Sequence, residues 1–318
     1  MVISRPRPPQ RERRFADRTF HFLVIACVVS LLIIVFLIVM ELIKKSGLSL
    51  HEFGAKFLFT GTWNPVSGEF GALPFIYGTI ISSLLGLLIA VPLSLATALF
   101  LTELCPAFLR RIFGTIVELL AAIPSVIYGL WGLFVLAPFL RIYVQPWLAR
   151  NFGWTGLFDG PAYGIGMLAA GIILAIMVLP IIASVTRDVI LAVPRNQREA
   201  VLALGATRWE VLRTGVLRNA RAGILGAIIL GLGRAIGETM AVTMVIGNRP
   251  EISKSLFAPA YTLASVIANE FSEATDDLYL SSLIEIALVL FVITLVVNAL
   301  ARLLVWSVTR RTPSRALA

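Results

Sequence analysis

The chain has 318 residues, of which 58% are hydrophobic and only 14% charged, and its mean hydropathy is +0.90. A soluble domain of this composition would lack the polar surface to cover itself, which excludes a soluble enzyme and places most of the chain in a bilayer. The net charge of +9 is therefore read by its position against the membrane and not as a nucleic-acid footprint.

Residues 1–20 carry Arg5, Arg7, Arg11, Arg13, Arg14 and Arg18 against Glu12 and Asp17, with Pro6, Pro8 and Pro9 among them. They read as a disordered basic cytoplasmic tail lying near anionic lipid. The apolar run 22–43 is longer than the core of a cleavable signal and is followed by no small-residue cleavage pattern, so 21–44 is expected to stay as a first transmembrane anchor. The basic tail puts the N-terminus in the cytoplasm. Residues 45–74 form an outer loop. Apolar segments near 76–101, 114–138, 163–186, 222–246 and 279–305 are each long enough to cross a hydrocarbon core of about 30 Å, which takes about 20 helical residues. The expectation is an all-α, polytopic integral membrane protein of six transmembrane helices, with a core at 75–306 and a cytoplasmic tail at 307–318.

Charge in the connecting loops tests that orientation. Residues 187–221 hold Arg187, Arg195, Arg198, Arg208, Arg213, Arg218 and Arg221 against Asp188, Glu199 and Glu210, whereas 247–278 is acidic. The first is expected inside and the second outside. Lys44 and Lys45 fall on the outer side, against the statistical bias. An even number of spans returns the C-terminus to the cytoplasm. Cys27 and Cys105 make no disulfide framework, and His21 and His51 lie far apart without ligand-spaced partners, so no metal site is expected. No Gly-rich phosphate loop of the P-loop kind is present, so ATP would not be hydrolysed by that route and any energy would come from another subunit or an ion gradient.

The loop at 187–221 has internal structure. Pro194 pre-sets a helix start, Gly205 permits a sharp bend, and Thr207 with Glu210 forms a capping-box pattern opening a second short helix. This two-helix knob, EAVLALGATRWEVLRTGVLR at 199–218, resembles the EAA loop of the permease subunits of bacterial ABC importers, which docks on the ATPase. Glu199, Ala200, Gly205 and Arg208 are its candidate coupling residues. The general pattern often continues to Leu-Pro, but here Leu217 is followed by Arg218, which puts the usual break after the second coupling helix in question.

In the fifth span, GLGRAIGETMAV at 231–242 places Arg234 and Glu238 four residues apart, on one face of a helix. Charges inside a membrane cost several kcal/mol unless they pair or face water. The two residues could lock a helix pair by neutralising each other, or Arg234 could face a solute path with Glu238 tuning it. Thr239 and Thr243 add hydroxyls beside this turn, although such threonines often bond only their own helix backbone. Glu118 and Glu285 read as buried carboxyls, protonated or paired. Pro124 is expected to kink the third span. Trp131, Trp147 and Trp154 fit an interfacial belt.

The run GLGRAIGETMAVTMVIGN at 231–248 resembles the fifth-span signature of the PstC-type permeases of bacterial phosphate ABC importers. So do WNPVSGEFGALPFIYGT at 63–79, AAIPSVIYGLWG at 121–132, SLFAPAYTLASVIANEF at 255–271 and the last span. The resemblance implies a permease subunit without an ATPase site of its own, in the bacterial plasma (inner) membrane. It implies a PstA-like second permease, two copies of a PstB-like ATPase that hydrolyses ATP, and a PstS-like periplasmic or lipid-anchored phosphate receptor. It also points to Arg234 and Glu238 as transport residues. A permease for sulfate or molybdate would share the EAA loop, and an ion-coupled carrier would share buried charges.

Overall fold

The computed structural model describes residues 10–310, almost all of them helical, and among these the pairing of extended backbone is confined to two isolated bridges. Six helices are long and apolar enough to span a membrane: Asp17–Lys45, Leu73–Leu104, Ser125–Thr155, Met167–Leu191, Arg208–Ile236 and Asp277–Ser307. Of the expected tail at 1–20, residues 1–9 lie outside the described residues and 10–20 belong to the first helix, which is described from Gln10. At the other end the last helix continues to Arg310, beyond the expected boundary at 306.

The fourth span is the centre of the fold and the most buried of the six. Its small residues explain why. At Gly171 an added Cβ would lie 2.5 Å from Leu85 of the second span, and at Gly86 it would lie 2.9 Å from Leu174, so the two helices approach nearly backbone to backbone. Ser94 adds a cross-helix bond, donating to the Leu179 carbonyl at 3.0 Å. On the opposite flank Gly231 of the fifth span sits against Ile182 and Val178. Packing density replaces the hydrophobic effect as the driving force here, since lipid tails are as apolar as leucine.

The third crossing differs from the expectation of one helix at 114–138. It breaks at Ile123–Pro124, between helices Ala107–Ala122 and Ser125–Trp131. Pro124 supplies no N–H and disfavours helix in the residue before it. The two pieces still climb the fourth span together, with Val117 beside Ala183 and Gly132 beside Ile173. Beyond residue 138 the chain remains helical to Phe152, so most of what was expected as an outer loop extends this span.

The first span stands apart: none of its apolar window is buried, and its C-terminal end touches the start of the last span. Its foot is pinned by serines. Ser281 donates to the Lys45 carbonyl at 2.9 Å and accepts from the Ser49 N–H, while Ser282 donates to Ser49 at 3.1 Å. The short helix Gly47–Phe53 thereby docks on the last span. Above it, Trp63, Phe70, Phe75 and Tyr279 stack edge to face or in parallel. The Glu270 carboxylate accepts from both Trp63 Nε1, at 2.8 Å, and the Tyr279 hydroxyl, at 2.7 Å. Residues 45–74 are thus a folded cap and not an open loop. Trp147 and Trp154 are exposed, as an interfacial belt requires.

Candidate functional site

The expected knob forms. The helix Arg195–Ala203 ends in a turn whose Gly205 has φ +80°, a left-handed conformation that favours glycine. Thr207 and Glu210 make the reciprocal capping box, with the Thr207 N–H donating to Glu210 Oε2 at 2.8 Å and the Glu210 N–H donating to Thr207 Oγ1 at 3.4 Å. The helix that this box opens is not a separate short one. From Arg208 the chain passes through a wider π-type stretch, Val211–Leu217, directly into the fifth span. With Arg218 where a proline would break the helix, nothing interrupts it.

Glu199, Ala200, Gly205 and Arg208 are all exposed on this knob. Beside them stand larger apolar groups that the motif did not single out: Leu204 is 87% exposed and Trp209 62%. Side chains of this size held out on a short polar loop offer a partner desolvation energy that Glu199 and Arg208 alone do not. The knob is fixed to the rest of the molecule by an ion pair that no local pattern announces. Arg198 Nη1 lies 2.8 Å from Glu103 Oε1 at the C-terminal end of the second span, and Arg198 Nη2 donates to the Ile190 carbonyl at 3.1 Å. Between knob and span lies a cleft of about 680 Å³ lined by residues that include Glu103, Arg198, Arg208 and Trp209.

The fifth span holds the second group of candidates, in a geometry the sequence did not foresee. The helix stops at Ile236, ten residues before the expected end. Gly237–Thr239 form a break, and a short helix, Met240–Val245, resumes beyond it. Arg234 therefore sits in the last turn of one helix and Glu238 in the break, not on one continuous face. They still meet, with Arg234 Nη2 at 3.5 Å from Glu238 Oε2. Their surroundings differ sharply: the Glu238 side chain is 5% exposed and that of Arg234 is 49%. Glu238 Oε1 accepts the Ala241 N–H at 3.4 Å, so the carboxylate is built into the break while the guanidinium reaches out of it.

Thr239 and Thr243 are spent locally, Thr239 donating to the Gly237 carbonyl at 3.4 Å and Thr243 to the Thr239 carbonyl at 2.7 Å. Both lie within the turn that carries Glu238, and neither hydroxyl proton points into open space. Arg234 opens onto a cleft of about 510 Å³ between the fourth, fifth and last spans. The other intramembrane carboxyls lie elsewhere. Glu118 pairs with Arg187 at 2.9 Å, and Glu285 is buried near Ser49 with its Oε2 unpartnered. Among the described residues no group of His, Cys, Asp and Glu could hold a metal ion.

Residues 90–310 match the family described as the binding-protein-dependent transport system inner membrane component. The chain is 52% identical over 306 residues to the phosphate transport system permease protein PstC of Mesorhizobium japonicum, covering 94% of each chain. It is 46% identical over 300 residues to the PstC protein of Xylella fastidiosa, covering 93% of this chain and 92% of the other. Among solved structures it is similar in fold to a bacterial ABC transporter involved in the import of alginate, with a TM-score of 0.54 at 18% identity, covering 91% of this chain and 98% of that one. The inward-facing MetNI methionine ABC transporter gives a TM-score of 0.52 at 21% identity, covering 75% and 94%.

Proposed function

Because the chain belongs to the binding-protein-dependent transport system inner membrane components, among the PstC-type permeases, we propose that it forms one half of the translocation path of an ATP-driven inorganic phosphate importer. It is a multi-pass inner-membrane subunit. Its counterpart would be a PstA-like permease on the open side of the fifth and last spans. Two copies of a PstB-like ATPase would drive the pair, one seated on the 195–217 knob, and a PstS-like receptor would deliver phosphate to the outer cap. The arginines of 187–221 against the acids of 247–278 support placing the knob and both termini in the cytoplasm.

One observation carries the solute path: Arg234 is half exposed toward an open cleft while the carboxylate that pairs with it is buried. A mutual lock would gain most from burying both partners, because the attraction between charges strengthens as water is excluded. Here Glu238 approaches one guanidinium nitrogen at 3.5 Å and about half of the arginine side chain stays exposed. A planar fork that keeps its charge inside a membrane suits a phosphate oxyanion, to which it donates two parallel hydrogen bonds. The carboxylate moderates that attraction, so the anion is released again. Thr239 and Thr243, the other pathway candidates, lie beside this break with their hydroxyls donating to the Gly237 and Thr239 carbonyls.

The test is phosphate uptake into vesicles carrying the full complex, measured beside the amount assembled. Arg234→Gln should assemble and lose uptake by about a hundredfold or more, since the amide cannot offset the desolvation of the anion. Glu238→Gln in addition should not restore it. Recovery of uptake in the double variant would mean that the pair is only a lock.

A further inference from the structure

The cleft that receives Arg234 is also lined by a second arginine. Arg302 lies in the last span, exposed, with no hydrogen bond or ion pair to another group among the described residues. An unpaired arginine lining a cavity within a span is costly, which makes it a candidate for an ion path. Asn298 sits one turn away on the same face of the helix, its Nδ2 donating to the Thr294 carbonyl at 2.8 Å. Across from it Gly226 and Gly233 of the fifth span leave the floor of the cleft open. An added Cβ at Gly226 would meet nothing within 4 Å, and at Gly233 only Asn298 Oδ1 at 3.9 Å.

The fifth and last spans run antiparallel, with Gly233 level with Asn298, so Arg302 lies farther along the last helix toward its basic C-terminal end. Four residues of helix put Arg302 about 6 Å beyond Asn298. The lining carries two guanidinium groups and no carboxylate. We propose that Arg302, with Asn298 beside it, is a second oxyanion contact on the cytoplasmic side of Arg234, taking the phosphate after it leaves that residue. This rests on the phosphate-path reading of Arg234. Two shared contacts one or two helical turns apart let the anion move inward without being stripped of hydrogen-bond donors at any point, while neither contact alone binds tightly.

An arginine near the end of a span can instead snorkel to the interface, and the two roles respond differently to substitution. In vesicles holding the complete importer, Arg302→Gln should lower the maximal uptake rate by about tenfold at unchanged assembly, and Arg302→Lys should fall between, keeping charge but losing the fork. Half-saturating external phosphate should stay constant, because the receptor sets it. Gly233→Leu, which fills the cleft without touching either charge, should also block uptake. As a check on charge itself, Arg302→Cys in a Cys27→Ser background should regain uptake when labelled with a cationic methanethiosulfonate and not with an anionic one. Wild-type uptake in Arg302→Gln, equal rates with either label, or a fully active Gly233→Leu would overturn the proposal. If Arg302→Gln fails to assemble, Gly233→Leu and the labelling experiment decide it. Loss of uptake in Arg234→Gln with none in Arg302→Gln would sink only this inference; full uptake in Arg234→Gln would sink the path reading beneath it.

Discussion

At the scale of single residues, the informative quantity is how unequally two partners in an ion pair are exposed. For Arg234 and Glu238 the inequality, 49% against 5%, is what supports the proposal that the guanidinium is offered to a solute. The pair of Arg198 and Glu103 is the contrasting case, with side chains 24% and 27% exposed and the Arg198 Nε buried without a partner. Equal burial fits a structural tie, here between the knob and the second span. Glu103→Gln leaves a partly buried guanidinium uncompensated, which costs more than the pair was worth when intact. The expected outcome is an importer whose ATPase still turns over but whose uptake per ATP falls several-fold. The swapped pair Glu103→Arg with Arg198→Glu should recover part of that ratio. Uptake per ATP unchanged in the single variant would show that the tie carries no coupling.

Among the elements, the knob turns on one backbone angle. Nothing lies within 4 Å of a Cβ built on Gly205, so substitutions there act through φ and not through crowding. A β-branched residue at φ +80° costs about 1–3 kcal/mol, whereas asparagine tolerates that region better than most. Uptake should therefore rank Gly above Asn above Val at position 205, with the valine form uncoupled from ATP hydrolysis or poorly bound to the ATPase; equal uptake in all three would remove the turn from the mechanism. The same elements show what a sequence makes legible. The six crossings were readable because apolar length is written directly in composition, and the turn at Gly205 and its capping box because each is a local bond between near neighbours. The break at 237–239 was not, since GLGRAIGETMAV contains no proline and its Arg and Glu four apart read as one helix face; Glu238 accepts the Ala241 N–H across the break. Continuous helix from Ala137 to Phe152 was hidden by Pro138 and Pro146, each of which follows a wider π-type stretch, Gly132–Leu136 and Leu140–Val144, that accommodates the missing N–H. The value of Arg302 was invisible for a different reason. A basic residue near the end of a span reads as an orientation mark until the opposite wall of its cleft is known.

For the molecule as a whole, burial separates an anchor from a machine. The first span contributes no buried residue over its apolar window, while the fourth is enclosed by its neighbours. Replacing residues 17–40 by an unrelated span of the same length and orientation should leave uptake within about twofold, provided the serine-pinned foot at Lys45 to Ser49 is kept. A loss of assembled complex in that chimera, with its insertion confirmed, would give the first span a structural duty that its exposure does not suggest. The continuity of the fifth helix has a mechanical consequence. From Arg208 to Ile236 it is one unbroken rod, and it is tightly seated where Gly231 meets Ile182 and Val178. Taking that seat as a fulcrum, the arm toward Arg208 is about 35 Å and the arm toward Arg234 about 5 Å. Such a lever divides displacement by roughly seven and multiplies force in proportion. In the proposed mechanism, a broad, weak push on the knob would reach the guanidinium as a short, stiff displacement against a contact at 3.5 Å.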